Sequence, residues 1–123
     1  MAKKVLIADD EANIRELVQF ALEDEGFEIY QAGDGEEALA LARRLKPDLL
    51  VLDVMMPGKI GYQVCEELKQ DPETRNIHII LMSARGKSRV ELTGKMQGAD
   101  DVISKPFDPL ELNAKVKRAL GIQ

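Results

Sequence analysis

At 123 residues, with 45% hydrophobic and 32% charged residues, the chain has the length and makeup of one soluble domain around a single core. A net charge of −5 with acids and bases interspersed argues against direct nucleic-acid binding, and the apolar runs are too short to span a bilayer. One cysteine, Cys65, excludes an internal disulfide, and the N-terminus lacks a signal-peptide core, so the chain is expected in the cytoplasm with no membrane partner.

Strand-like and helix-like segments alternate along the chain. The first apolar run, VLIA at 5–8, ends on three acids, Asp9, Asp10 and Glu11. Ile14, Leu17, Val18, Ala21 and Leu22 then form a stripe with helical spacing, stopped by Gly26. A second strand is expected at 28–31. GDGEE at 33–37 is a turn and helix cap, with capping-box spacing between Asp34 and Glu37; no GxGxxG or P-loop makes it a nucleotide loop. Pro47 ends that helix, and a nearly all-apolar strand follows at 49–52. Cys65 shares an apolar helix face with Val64 and Leu68 and is expected in the core, and Pro72 closes this helix.

The fourth strand is expected at 77–82. Ser88 and Glu91 have capping-box spacing, but the helix expected at 89–97 is thin. Its apolar residues are Val90, Leu92 and Met96, and Gly94 sits inside it at a cost of about 1 kcal/mol relative to alanine. After a short strand at 102–103, Asp108, Pro109 and Glu111 mark a helix start, and Leu112, Val116, Ala119 and Leu120 form its stripe. Five β and five α segments in strict alternation imply a doubly wound α/β domain with a parallel sheet and right-handed crossovers. Five strands favour the order 2-1-3-4-5, with the site beyond the carboxyl ends of the strands.

At those ends stand Asp9 and Asp10 after strand 1, Asp53 after strand 3, Ser83 after strand 4 and Lys105 after strand 5. Each alone has a plain reading as a cap, a turn residue or a solvated lysine; their joint placement at successive strand ends does not. Three converging carboxylates repel one another unless a hard divalent cation sits among them, and Mg²⁺ suits a few oxygen ligands completed by water and phosphate. A lysine 4 Å away contributes roughly 4 kcal/mol of attraction at an effective dielectric of 20. Carboxylate nucleophile, metal, lysine and hydroxyl are the parts needed to hold a phosphoryl group on an aspartate.

DDE at 9–11, LDVMMPGKIG at 52–61, MSA at 82–84 and SKPF at 104–107 resemble the receiver domain of two-component response regulators, across essentially the whole chain. The resemblance implies a (βα)5 flavodoxin-like receiver fold and one receiver domain over 1–123. It makes Asp53 the phosphoacceptor, Ser83 the switch hydroxyl and Lys105 the partner of the phosphoryl oxygens. Asp10 would bind Mg²⁺ directly and Asp9 partly through water, with Asp53 and the main-chain carbonyl of Met55 completing the protein ligands. The Lys105-Pro106 bond would be cis, aiming the lysine inward.

The resemblance further implies a phosphorylation-switched module, not a turnover enzyme. It would take its phosphoryl group from a histidine kinase or phosphotransfer protein, promote its own dephosphorylation, and signal to an effector domain or protein. The signal would leave through the face made by the helix at 89–97, the last strand and the last helix. No output domain is expected after the last helix, so the chain would be a stand-alone receiver or one cut from a larger regulator.

Three positions depart from the pattern. Val102 replaces the usual tyrosine or phenylalanine, Ile60 replaces the usual aspartate before Gly61, and His78 stands where proline is frequent. Val102 favours an alternative, a phosphorylation-independent receiver-like binding module; the intact Asp, Ser and Lys set argues against it. A metal-dependent phosphatase with an aspartyl intermediate would need an acid two residues after Asp53, where Met55 stands. His78 precedes Ser83 on one strand, which makes a catalytic triad between them improbable.

Overall fold

The computed structural model describes residues 2–83 and 98–122. Five parallel strands, β1 (Lys4–Ala8), β2 (Glu28–Ala32), β3 (Leu49–Asp53), β4 (His78–Ser83) and β5 (Asp101–Ser104), form one sheet in the order β2-β1-β3-β4-β5. Helices α1 (Ala12–Leu22), α2 (Gly35–Leu45), α3 (Gly61–Gln70) and α4 (Pro109–Ala119) cover its faces. The thin helix expected at 89–97 and its Ser88 cap lie outside the described residues. No helix among the described residues is long and apolar enough to cross a membrane.

The near-continuous apolar runs of β1, β3 and β4 follow from burial on both faces. Alternate side chains divide into two cores. Leu6, Leu50, Leu52, Ile79, Leu81 and Val102 pack with the inner faces of α2 and α3. Val5, Ile7, Val51, Ile80, Met82 and Ile103 pack with Val18 and Leu22 of α1 and with Leu112 and Val116 of α4. Leu17 leaves the α1 stripe and is 37% exposed. Cys65 is fully buried, and burial pushes its thiol up to about 11, as suits an inert core residue.

The helix ends follow their sequence signals with two adjustments. Helix α1 stops at Leu22, and a 3₁₀ turn, Glu23–Glu25, carries the chain to Gly26, whose φ of 75° is left-handed. At α2 the Asp34 carboxylate accepts from Glu37 N at 2.8 Å as expected. Glu37, however, reaches back to Gly33 N at 2.7 Å and not to the Asp34 amide, so the cap is spread over one more residue. Asp108 accepts from Leu110 N at 2.8 Å with Pro109 opening α4.

Helix α3 begins without a side-chain cap because its N-cap is Ile60, 42% exposed. Ile60→Asn restores an acceptor for a first-turn N–H and should add about 1 kcal/mol of stability. That corresponds to a rise of roughly 3–5 °C in a thermal melt. A lower Tm would show that the contacts of the isoleucine outweigh the missing cap.

Candidate functional site

Strand register brings the site together. Ala8 lies opposite Leu52, so the next residues, Asp9 and Asp53, emerge side by side from the centre of the sheet. Asp53 lies opposite Met82, and Ser83 lies opposite Ser104, which places Lys105 just beyond the end of β5. All these ends are carboxyl ends, beside the point between β1 and β3 where the strand order reverses.

Asp9 is wholly buried and Asp53 is 5% exposed, while Asp10 stands in solvent. Carboxylate oxygens of the three lie within 4.8 Å of one another. Lys105 bridges the buried pair: its Nζ donates to Asp9 Oδ2 at 2.7 Å and lies 3.2 Å from Asp53 Oδ1. The peptide bond from Lys105 to Pro106 is cis. Lys105 N donates to Ser83 O at 2.7 Å, tying the buried Ser83 to the lysine through the main chain. Glu11 N donates to Asp9 Oδ1 at 2.9 Å, and Met55 N lies 3.4 Å from Asp53 Oδ1.

The electrostatics follow from this packing. Burial, and then the neighbouring Asp9 charge, push Asp53 above its ordinary carboxylate value, and Lys105 opposes the rise. Burial alone would lower the Lys105 pKa, but the hydrogen bond to Asp9 and the charges of Asp53 and Asp9 outweigh it and raise it. The ammonium therefore stays charged between two carboxylates. The donor set is all hard oxygen, with one exposed acid open to solvent beside two buried ones. That composition fits a partly hydrated divalent cation such as Mg²⁺ and not a soft metal.

Residues 5–117 match the family model described as "Response regulator receiver domain". The chain belongs to that family. It is 44% identical over 120 residues to the alkaline phosphatase synthesis transcriptional regulatory protein PhoP of Bacillus subtilis, covering 98% of this chain and 49% of that protein. It is 42% identical over 120 residues to the phosphate regulon transcriptional regulatory protein PhoB of Escherichia coli, covering 98% of this chain and 52% of the relative. The receiver thus spans about half the length of these relatives. Among solved structures, the chemotaxis response regulator CheY4 of Vibrio cholerae superposes with a TM-score of 0.90 at 31% identity, over 97% of this chain and 99% of that one.

Asp9, Asp10, Asp53 and Lys105, expected from the strand ends, converge in this receiver, with Ser83 on the adjoining strand end. Met55, on the loop after β3, contributes its amide to Asp53, and its side chain is 60% exposed. His78 opens β4 at the end opposite Ser83, about 16 Å away at the rise of an extended strand. That distance removes it from the site. Val102 is packed in the core against the α2 and α3 side. Sequence reasoning passed over Arg15, whose Nη1 donates to Asp9 O at 2.7 Å. A cation four residues into a helix, against the positive end of its dipole, was the available signal.

Proposed function

We propose that this receiver is a phosphorylation-switched module of two-component signalling, one domain over 1–123, that carries its phosphoryl group on Asp53. The observation that carries this reading is the buried Asp53 carboxylate, aligned beside Asp9 and bridged to it by Lys105 at 2.7 and 3.2 Å. A buried carboxylate with a raised pKa is a better nucleophile than a solvated one, and Lys105 keeps it available as the anion.

Transfer then proceeds from the phosphohistidine of a histidine kinase or phosphotransfer protein. A carboxylate oxygen of Asp53 attacks phosphorus, the P–N bond breaks, and the imidazole leaves with the bond pair and takes a proton from solvent. Lys105 turns one of its donors toward the phosphoryl oxygens, and the Ser83 hydroxyl donates to another. Asp10, Asp9, Asp53 and the Met55 carbonyl would hold Mg²⁺, which supplies charge neutralisation for the phosphoryl group. Hydrolysis of the acyl phosphate at the same site resets the module, so the chain is a self-resetting acceptor in the cytoplasm and not a turnover enzyme. The names of PhoP and PhoB as transcriptional regulatory proteins support an effector domain or protein downstream, reached through β5 and α4.

Acetyl phosphate with Mg²⁺ should add one base-labile phosphoryl group by mass spectrometry, and Asp53→Asn should abolish it. Full labelling of the variant would move the acceptor elsewhere. The buried Val102, where an aromatic switch would stand, favours a second reading as a phosphorylation-independent binding module. Under that reading Asp53 still labels, but NMR spectra change only around the strand ends and not along β5 and α4.

A further inference from the structure

The acid pair at the end of β1 is held unequally. The Asp9 side chain is fixed by Lys105 at 2.7 Å and by the Glu11 amide at 2.9 Å. Asp10 is exposed, and among the described residues its carboxylate has no hydrogen bond or ion pair. Its reach toward the other two carboxylates therefore depends on where the main chain places its Cα. That main chain is gripped on both sides of Asp9. Asp9 N donates to Ala32 O at 3.2 Å, and Asp9 O accepts from Arg15 Nη1 at 2.7 Å. The 9–10 peptide is planar, so fixing the Asp9 carbonyl also fixes the Asp10 N–H and the place of its Cα, from which the side chain starts.

Arg15 is itself braced. Its Nε donates to Gln31 Oε1 at 3.1 Å, and Gln31 Nε2 donates to Gln19 Oε1 at 2.5 Å, so a polar chain from β2 and α1 holds the half-buried guanidinium in place. Arg15 makes no ion pair among the described residues, although it sits in the early turns of α1, where the helix dipole disfavours a cation.

We infer that Arg15 is a positioning residue for the metal end of the site, holding the turn between Asp9 and Asp10 so that Asp10 faces the other two carboxylates. This rests on the reading of Asp9, Asp10 and Asp53 as a Mg²⁺ site. Charge and position make opposite demands here. If Arg15 acted only through its charge, neutralising it would deepen the negative potential and tighten Mg²⁺ binding. If it acts by holding the turn, neutralising it weakens binding.

The test is calorimetric titration of the full chain with Mg²⁺ alone. Arg15→Met should weaken binding by about tenfold, the low end of what outer-shell partners of metal ligands contribute. Arg15→Lys, which keeps the charge and one donor, should recover part of the loss. Gln31→Ala, which removes only the brace, should weaken binding less and in the same direction. Unchanged or tighter binding in a folded Arg15→Met would overturn the inference while leaving the metal site standing. Should Arg15→Met fail to fold, unchanged binding in Gln31→Ala overturns it instead. A wild-type chain that took up no Mg²⁺ would overturn the metal reading, and the positioning role with it.

Discussion

Replacing Lys105 by methionine should destabilise the metal-free protein by roughly 3–5 kcal/mol at neutral pH, the range found when one partner of a buried ion pair is removed. Methionine keeps the length of the lysine stem, so the packing of that stem is largely preserved and the lost term is charge. Asp9 is fully buried and Asp53 nearly so, and among the described residues Lys105 is the cation that touches both. In the wild-type protein the raised Lys105 pKa means that its stabilisation is present below the ordinary lysine value of 10.5 and is lost only as pH rises through the higher folded value.

The variant should respond to pH in the carboxylate range instead. Burial and Asp9 already hold Asp53 above its ordinary value with Lys105 in place, and removing the cation lets it rise further. A carboxyl group with a raised folded pKa favours the folded state most below its unfolded value, and loses that contribution as pH rises through the folded one. The deficit relative to wild type should accordingly be largest at neutral pH and shrink toward about pH 5. Urea unfolding at both pH values measures it. Added Mg²⁺ should restore part of the loss, since a ligand that binds only the folded state stabilises it. A loss equal at both pH values would assign Lys105 a packing role, and no loss would remove the ion pair from the stability of the domain.

The fold was legible because local signals agree at every level. Apolar runs at β1, β3 and β4, stripes at α1 and α4, and the Asp34 and Asp108 caps all point to the same alternation. Given the strand order, the strand-end rule is enough to gather Asp9, Asp53, Ser83 and Lys105, because register in a parallel sheet places consecutive strand ends side by side. What stayed hidden depends on contacts distant in sequence or on backbone with no side chain to betray it. Glu37 could reach either of two amides, and only the bend of the chain at Gly33 selects one. Arg15 shows its purpose only when β2 supplies Gln31 and the β1 turn offers a carbonyl. Gly35 reads as a turn residue, yet it is the buried place where α2 meets the loop after β3, with Gly35 N donating to Pro57 O at 3.2 Å.

That loop is the basis for a second large effect. Gly61→Ala should destabilise the protein by roughly 1–3 kcal/mol, as overpacking of a tight backbone contact does. A Cβ at Gly61 would stand 2.4 Å from the main-chain oxygen of Asp53 and 2.8 Å from the Val54 Cα, and neither is the end of a flexible side chain that can swing aside. The start of α3 must therefore move away from the end of β3, against the 2.7 Å hydrogen bond from Gly61 N to Val54 O. The moving piece is the loop that carries Met55, whose amide faces Asp53 and whose carbonyl is a proposed Mg²⁺ ligand. Because a misplacement of about 1 Å in a reacting geometry can cost a hundredfold, phosphorylation by acetyl phosphate should slow by at least tenfold even where the variant remains folded. Gly35→Ala presses the same loop from the other side, with a Cβ 2.0 Å from the Lys59 main-chain oxygen, and should act in the same direction on both readouts. Chemical denaturation and the time course of labelling measure the two effects separately. A Gly61→Ala protein that labels at the wild-type rate would show that the loop absorbs the displacement without passing it to Asp53, and the glycine would then serve packing alone.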